Sequence, residues 1–275
     1  MRRMLYALDE ERISNDIDLL VDSVELACAE AILPKLGFRF LGVDRLGAAR
    51  NADRLWMHES TGLLLELHTT IVGIGAAPTS VWETLSAATE TMDIDGHPVE
   101  ILDDVARAFH VAINVAHHGR LDAKTMADLD RALTVISQET WRNAADLARR
   151  LDALAAFSAG LRLNPRGALL VRSLGIAAPI DPMVALRAET APPLAPGIVW
   201  FTQLPSAKAR AAYLLRVLLP PPGTIRLRSP RARRNSFWLV MAYACRPFWI
   251  AAHLRPAIRA WRRARQTARA SKLHV

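Results

Sequence analysis

Two aspartates one residue apart, Asp16 and Asp18 in the string NDIDLLV, are the first residues of the chain that could do chemistry together. In an extended strand alternate side chains share a face. The two carboxylates then stand about 6–7 Å apart along one side, while Ile17 and Leu19 point to the other, into a core. A pair of carboxylates leaving an otherwise buried strand is costly unless a cation neutralises it. A third acid, Glu66, interrupts Leu63, Leu64, Leu65 and Leu67, a composition that predicts a buried strand. Set beside the aspartates on an adjacent strand, Glu66 completes a three-carboxylate set. Such a set can hold two metal ions such as Mg²⁺ and orient or deprotonate an attacking hydroxyl in phosphoryl transfer. The plainer reading makes Asp16 and Asp18 surface residues of a strand edge and pairs Glu66 with an arginine, and Asp-x-Asp spacing alone does not separate the two. Arg12, just ahead of the pair, is placed to meet a phosphate or to neutralise Asp16 or Glu11. His68 shares the face of Glu66, either contacting a nucleotide or sitting as a satisfied core histidine.

The elements that must position these groups follow from pattern. A strand over Ile17 to Val21 precedes a helix over Ser23 to Leu36, whose apolar face is Val24, Leu26, Ala27, Ala31 and Leu33 and which Gly37 ends. Cys28 is read as core on that helix. Strands follow over Phe38 to Leu41, Arg54 to His58 and Leu63 to Val72, the last two joined by a turn at Ser60-Thr61-Gly62. Ser80 to Thr89 reads as a helix. Asp95-Gly96-His97-Pro98 reads as a turn between Thr91 to Ile94 and Val99 to Leu102. From Asp103 the pattern becomes helical: residues 105–117, 123–136 and 139–157, with a break at Asn164-Pro165. The expected class is α+β, a small mixed sheet with flanking helices followed by an all-α domain and a basic helical tail. The expected boundaries are 1–104, 105–220 and 221–275.

Composition excludes several function classes. Two cysteines are too few for a disulfide scaffold or a zinc cage, so a reducing, cytoplasmic setting is expected, and MRRMLYALDEERISND lacks the apolar stretch of a secretory signal. No Gly-x-Ser-x-Gly string, Walker turn or dinucleotide-binding glycine pattern is present. The net charge of +8 is divided unevenly. Residues 190–275 carry 16 Lys or Arg and no acid, whereas residues 1–189 hold 19 basic against all 27 acidic residues. In the tail, Arg246-Pro247 interrupts the apolar run after Phe237 to Cys245, which is well short of the roughly 20 residues that cross a bilayer. Trp238, Phe248, Trp249 and Trp261 among arginines fit three readings. They anchor an interfacial helix on an anionic membrane surface, bind nucleic acid, or pack back on the helical domain; between the first two, the membrane surface is favoured.

The run Arg12, Asp16, Ile17, Asp18, Leu19, Leu20, Val21, then Glu66, Leu67, His68, and later His117-His118-Gly119 with Asp128, resembles the uncharacterised nucleotidyltransferase family of the polymerase-β-like superfamily. Members of that family often occur near polysaccharide-synthesis genes. The resemblance spans most of residues 5–260. It implies Asp16 and Asp18 as Mg²⁺ ligands, Glu66 as the third carboxylate and a nucleoside triphosphate as donor to an unknown acceptor. A histidine of the His117-His118 pair and Asp128 would tie two helices together or face the cleft. The superfamily sets a Gly-Ser or Lys-Gly phosphate-cradling turn ahead of the Asp-Ile-Asp strand. This chain has no glycine before Gly37, and Leu5 to Leu8 looks like the end of the helix that follows such a turn. The expectation is a late-placed start or a lost turn. The alternatives to an active transferase are an inert scaffold of the same fold and a toxin-type enzyme that nucleotidylates protein or tRNA.

Overall fold

The computed structural model of the chain describes Leu5 and residues 16–44, 53–189 and 191–273. Strand β1 (Asp16–Leu20) leads to helix α1 (Leu26–Ile32), which tightens into a 3₁₀ turn over Leu33–Leu36. Gly37, at φ 83°, takes the left-handed conformation that stops the turn and releases the chain into β2 (Phe38–Asp44). Strands β3 (Asp53–His58) and β4 (Leu64–His68) form a hairpin in which the Gly62 N–H donates to the His58 carbonyl at 2.9 Å. The sheet runs β1-β4-β3-β2, with β1 parallel to β4 and the other pairs antiparallel. Together with a separate two-stranded hairpin and many helices, this is the α+β class expected from the sequence.

The register places Asp16 beside Leu64, Asp18 beside Glu66 and Leu20 beside His68, so these six side chains share one face. Leu65 and Leu67 alternate to the opposite face and are buried there with Trp56 and Leu33. That second face is only partly covered. Ile17 and Leu19 are 39% and 41% exposed, so the expectation that they point into a core is not met. Among the described residues β1 has one hydrogen-bonding neighbour, β4, and the small core is centred on β3 and β4. Helix α1 presents Leu26, Ala29 and Leu33 to that core, a spacing of three and four. The face predicted from Val24, Ala27 and Ala31 is turned outward, and Cys28, expected in the core, is exposed.

Helix α2 (Pro78–Ser86) precedes strands β5 (Thr89–Ile94) and β6 (His97–Leu102). Their two-residue turn has positive φ at Asp95 (53°) and Gly96 (83°), the backbone that matches strand twist in tight hairpins. Helix α3 (Asp104–His118) starts where the Asp103 carboxylate accepts from the Ala106 N–H at 2.8 Å. Most of its residues are buried, so it is central. Helices α4 (Ala123–Val135), α5 (Gln138–Arg150), α6 (Leu154–Leu161) and α7 (Pro165–Ser173) follow, and α4, α5 and α6 pack against α3. The single helix expected over 139–157 is thus two. Asp152, at φ 50°, breaks it, and the freed carbonyls of Leu151 and Asp152 accept from the N–H groups of Ala76 and Gly75.

The C-terminal part comprises α8 (Pro182–Glu189), α9 (Ala195–Gln203), α10 (Ala207–Leu218), α11 (Pro222–Arg228), α12 (Pro230–Arg234) and α13 (Ser236–Leu273). Pro247 does not end α13, which runs through Pro247 and Pro256. Ala257, Ala260 and Ala264 hold it closely on α8 and α9, and that packing outweighs the lost hydrogen bonds. No described helix is long and apolar enough to cross a membrane.

Candidate functional site

The face of the sheet that carries Asp18 and Glu66 looks toward α3. Parallel register sets the two acids side by side, and His68, two residues beyond Glu66 on the same face, reaches between them. The His68 Nε2 atom lies 3.0 Å from Asp18 Oδ1 and 3.6 Å from Glu66 Oε2. One donor atom from each of the three falls within 4.8 Å of the others. The side chains grade from 19% exposed at His68 through 32% at Glu66 to 62% at Asp18, so the group opens to solvent on the Asp18 side. The hydrogen bond from His68 holds the Asp18 carboxyl below its ordinary value of 3.8, with further help from the fields of His68, His110 and His118 against the cost of partial burial.

Asp16 shares the face but lies outside this group, so the trio brought together is Asp18, Glu66 and His68 rather than Asp16, Asp18 and Glu66. Arg12 lies outside the described residues, as do all but Leu5 of the first fifteen; Leu5 itself is helical and buried in the large core.

The opposite wall comes from α3. In that apolar helix His110, Asn114 and His117 follow one another at four and three residues, which lines them up on one face. The fields of His110 and His118 reach Asp18, and that of His68 reaches His117. His117 is pushed down to about 3, first by burial, then by the charge of Arg187 and by His118 and His68. Arg187 Nη1 lies 2.7 Å from His117 Nδ1. A guanidinium can only donate, so Nδ1 accepts and the neutral ring carries its proton on Nε2. His118 lies 3.6 Å from Asp122 across the end of the helix, and Asp128 is buried at 1% exposure in α4.

Sequence reasoning passed over two contributors, His110 and Arg187. The signal for His110 was present in its spacing from Asn114 and His117 within an otherwise apolar helix. Arg187 gave none, because only the folded chain brings α8 against the end of α3.

Two carboxylates and an imidazole form a donor set suited to a divalent cation, the oxygens to Mg²⁺ or Mn²⁺ and the ring nitrogen more to Mn²⁺. The trio can therefore gather positive charge on the sheet face that looks toward α3. A family described as an uncharacterised nucleotidyltransferase matches residues 1–166, the span that contains β1, β4 and α3. No curated protein and no solved structure matches the chain.

Proposed function

The chain belongs to an uncharacterised nucleotidyltransferase family, and from that premise we propose that it moves a nucleoside monophosphate from a nucleoside triphosphate to an acceptor hydroxyl or phosphate. What supports this most directly is the convergence of Asp18, Glu66 and His68 donor atoms within 4.8 Å on the sheet face opposite α3. A bound Mg²⁺ would polarise the α-phosphoryl group and offset charge developing on the pyrophosphate that leaves. Asp18, held ionised by His68, and Glu66 would hold that cation. Glu66, the less exposed of the two acids, also takes the proton of an acceptor hydroxyl as its oxygen bonds to the α-phosphorus and the bond to pyrophosphate breaks. Asp16, one pleat earlier on the same face, would be available to a second ion. His117 offers its Nε2–H to a phosphate oxygen, and Arg12 steadies phosphate from the segment before β1. The acid-free residues 190–275 support an acceptor presented at an anionic membrane surface, and the family resemblance supports a link to polysaccharide synthesis.

The test is NMP transfer with labelled nucleoside triphosphates and Mg²⁺, beside Mn²⁺ binding by electron paramagnetic resonance. Asp18→Asn and Glu66→Gln should each lower transfer at least about 100-fold and abolish Mn²⁺ binding, and Asp16→Asn should cost roughly 10-fold. Should both variants match the wild type and no Mn²⁺ bind, the three side chains are an ion-pair cluster and the chain is an inert copy of the fold.

A further inference from the structure

A cavity of about 1560 Å³ opens where α3 ends, between α3, α6 and the C-terminal helices. It exceeds the roughly 300–1,000 Å³ of a typical small-ligand pocket. Its walls are largely apolar, with Ile198, Val217, Ile250 and Ile258 joined by Trp249 and Trp261. Four arginines border it: Arg187, Arg216, Arg246 and Arg262. The two acids on the lining are engaged locally or outnumbered. Asp181 accepts from the Met183 N–H at 2.7 Å at the start of α8, and Asp152 sits at the break between α5 and α6. Arg246 is fixed in place, donating from Nε to the Val217 carbonyl at 2.6 Å and lying over the Trp249 ring at 5.8 Å. His117 and Arg187 line one end of the cavity, and His117 is also the residue on which the field of His68 acts. The cavity and the carboxylate cluster are therefore neighbours through one histidine.

We propose that this cavity takes an anionic amphiphile, a single long hydrocarbon chain against the Trp249–Trp261 wall with a phosphate head held by Arg187 beside His117, in the field of the other bordering arginines. A nucleotide would leave the apolar wall unmatched, and a neutral lipid would offer nothing to the positive charge of the four arginines on the lining. No acid of residues 190–275 competes for that head. As the acceptor, this lipid phosphate rests on the transferase reading: a head-group oxygen bonds to the α-phosphorus, the bond from that phosphorus to the bridging oxygen breaks, and pyrophosphate leaves with the electron pair. Binding itself does not rest on that reading.

Titration of the full chain with n-dodecyl phosphate below its micelle concentration, followed by tryptophan fluorescence and calorimetry, tests it. Saturable binding of one molecule per chain is expected, weakening roughly fourfold for each methylene removed in the decyl and octyl phosphates. Inorganic phosphate and n-dodecyl maltoside should bind at least 10-fold more weakly. The double variant Arg216→Glu, Arg262→Glu, both positions exposed, should weaken dodecyl phosphate at least 10-fold with unchanged circular dichroism. Equal binding of dodecyl maltoside or of inorganic phosphate overturns the proposal. So does attachment to phosphatidylglycerol vesicles without monomer binding, or a dimer by sedimentation that excludes the probe. If dodecyl phosphate binds but no NMP transfer occurs, the cavity stands and the transferase reading alone fails.

Discussion

The helices around α3 and the helices from α8 onward draw on the same residues, alanine, leucine, arginine and aromatics, yet they close differently. Around α3, Phe109, Trp141 and Phe157 are at most 2% exposed, with ring centroids 6.4 Å apart for Phe109 and Phe157 and 6.2 Å for Trp141 and Phe157. In the C-terminal part the buried side chains of α13 are alanines, Ala257, Ala260, Ala264 and Ala268, while Phe237 and Phe248 are 64% and 79% exposed. Small residues let α13 approach α8 and α9 closely but remove little apolar surface from water. The first region consumes its own hydrophobic surface. The second buries little of its apolar surface in a core and leaves the remainder exposed.

The sharpest way to break this contrast is a pair of substitutions, one that removes a side chain and one that adds a methyl. Phe157→Ala, in the contact of α6 with α3, should cost about 3–5 kcal/mol of unfolding free energy. Gly160→Ala attacks the same contact from the opposite direction. A Cβ there would come within 1.9 Å of the Ala112 carbonyl oxygen and 3.2 Å of the Ala116 nitrogen, all backbone atoms that cannot swing aside, so a cost of about 3 kcal/mol is expected. Urea denaturation checks both. A cost below about 1 kcal/mol in each would mean that this contact does not set the stability of the first region.

What the sequence made legible tracks how local the cause was. Gly37, the Ser60-Thr61-Gly62 turn, the Asp95-Gly96 turn and the Asp103 cap depend on residues within four positions of one another, and each is where the pattern put it. The pairing of Asp18 with Glu66 was also foreseen, because a leucine strand interrupted by one acid has few other faces to offer. Long-range causes were not legible. The break at Asp152 depends on residues 75 and 76 docking on its carbonyls, and the continuation of α13 through Pro247 depends on alanines ten and more residues away. The donor cluster differs in one member from the three carboxylates expected, for a geometric reason. Strand spacing marks Asp16 and Asp18 as equivalent, but β4 carries its polar groups at Glu66 and His68, opposite Asp18 and Leu20, and sets only Leu64 beside Asp16.

His117 joins the two regions, since its ring on α3 accepts a hydrogen bond from Arg187 on α8, and it offers a subtler probe of the contrast. Held at about 3 against 6.5 when unfolded, it stays neutral in the native state while the unfolded chain takes up a proton. Between about pH 3 and 6.5 the unfolded state therefore binds more protons, and stability falls as pH falls, by about 2 kcal/mol from this residue at pH 5. Asp18, with its carboxyl below 3.8, adds a loss of the same sign only at still lower pH. His117→Gln keeps an acceptor for Arg187 without the titration. Denaturation midpoints at pH 7 and pH 5 should differ less in that variant than in the wild type, and an unchanged difference would remove His117 as the acid-sensitive joint.

The smallest effect belongs to the exposed aromatics. Phe237→Ser and Phe248→Ser remove side chains that are mostly in water already, and neither lines the cavity beside Trp249. Each should change unfolding free energy by less than about 0.5 kcal/mol and leave dodecyl phosphate binding as it was. Partition onto anionic vesicles should fall, because a ring that rests in an interface contributes through its buried area there. The three readings together separate the roles of the second region's apolar surface. Stability unchanged, ligand binding unchanged and vesicle binding reduced assigns the outer aromatics to a surface and the inner ones to the cavity. A loss of stability comparable to that of Phe157→Ala would instead show Phe237 and Phe248 packed against a core, and the two regions would no longer differ in kind.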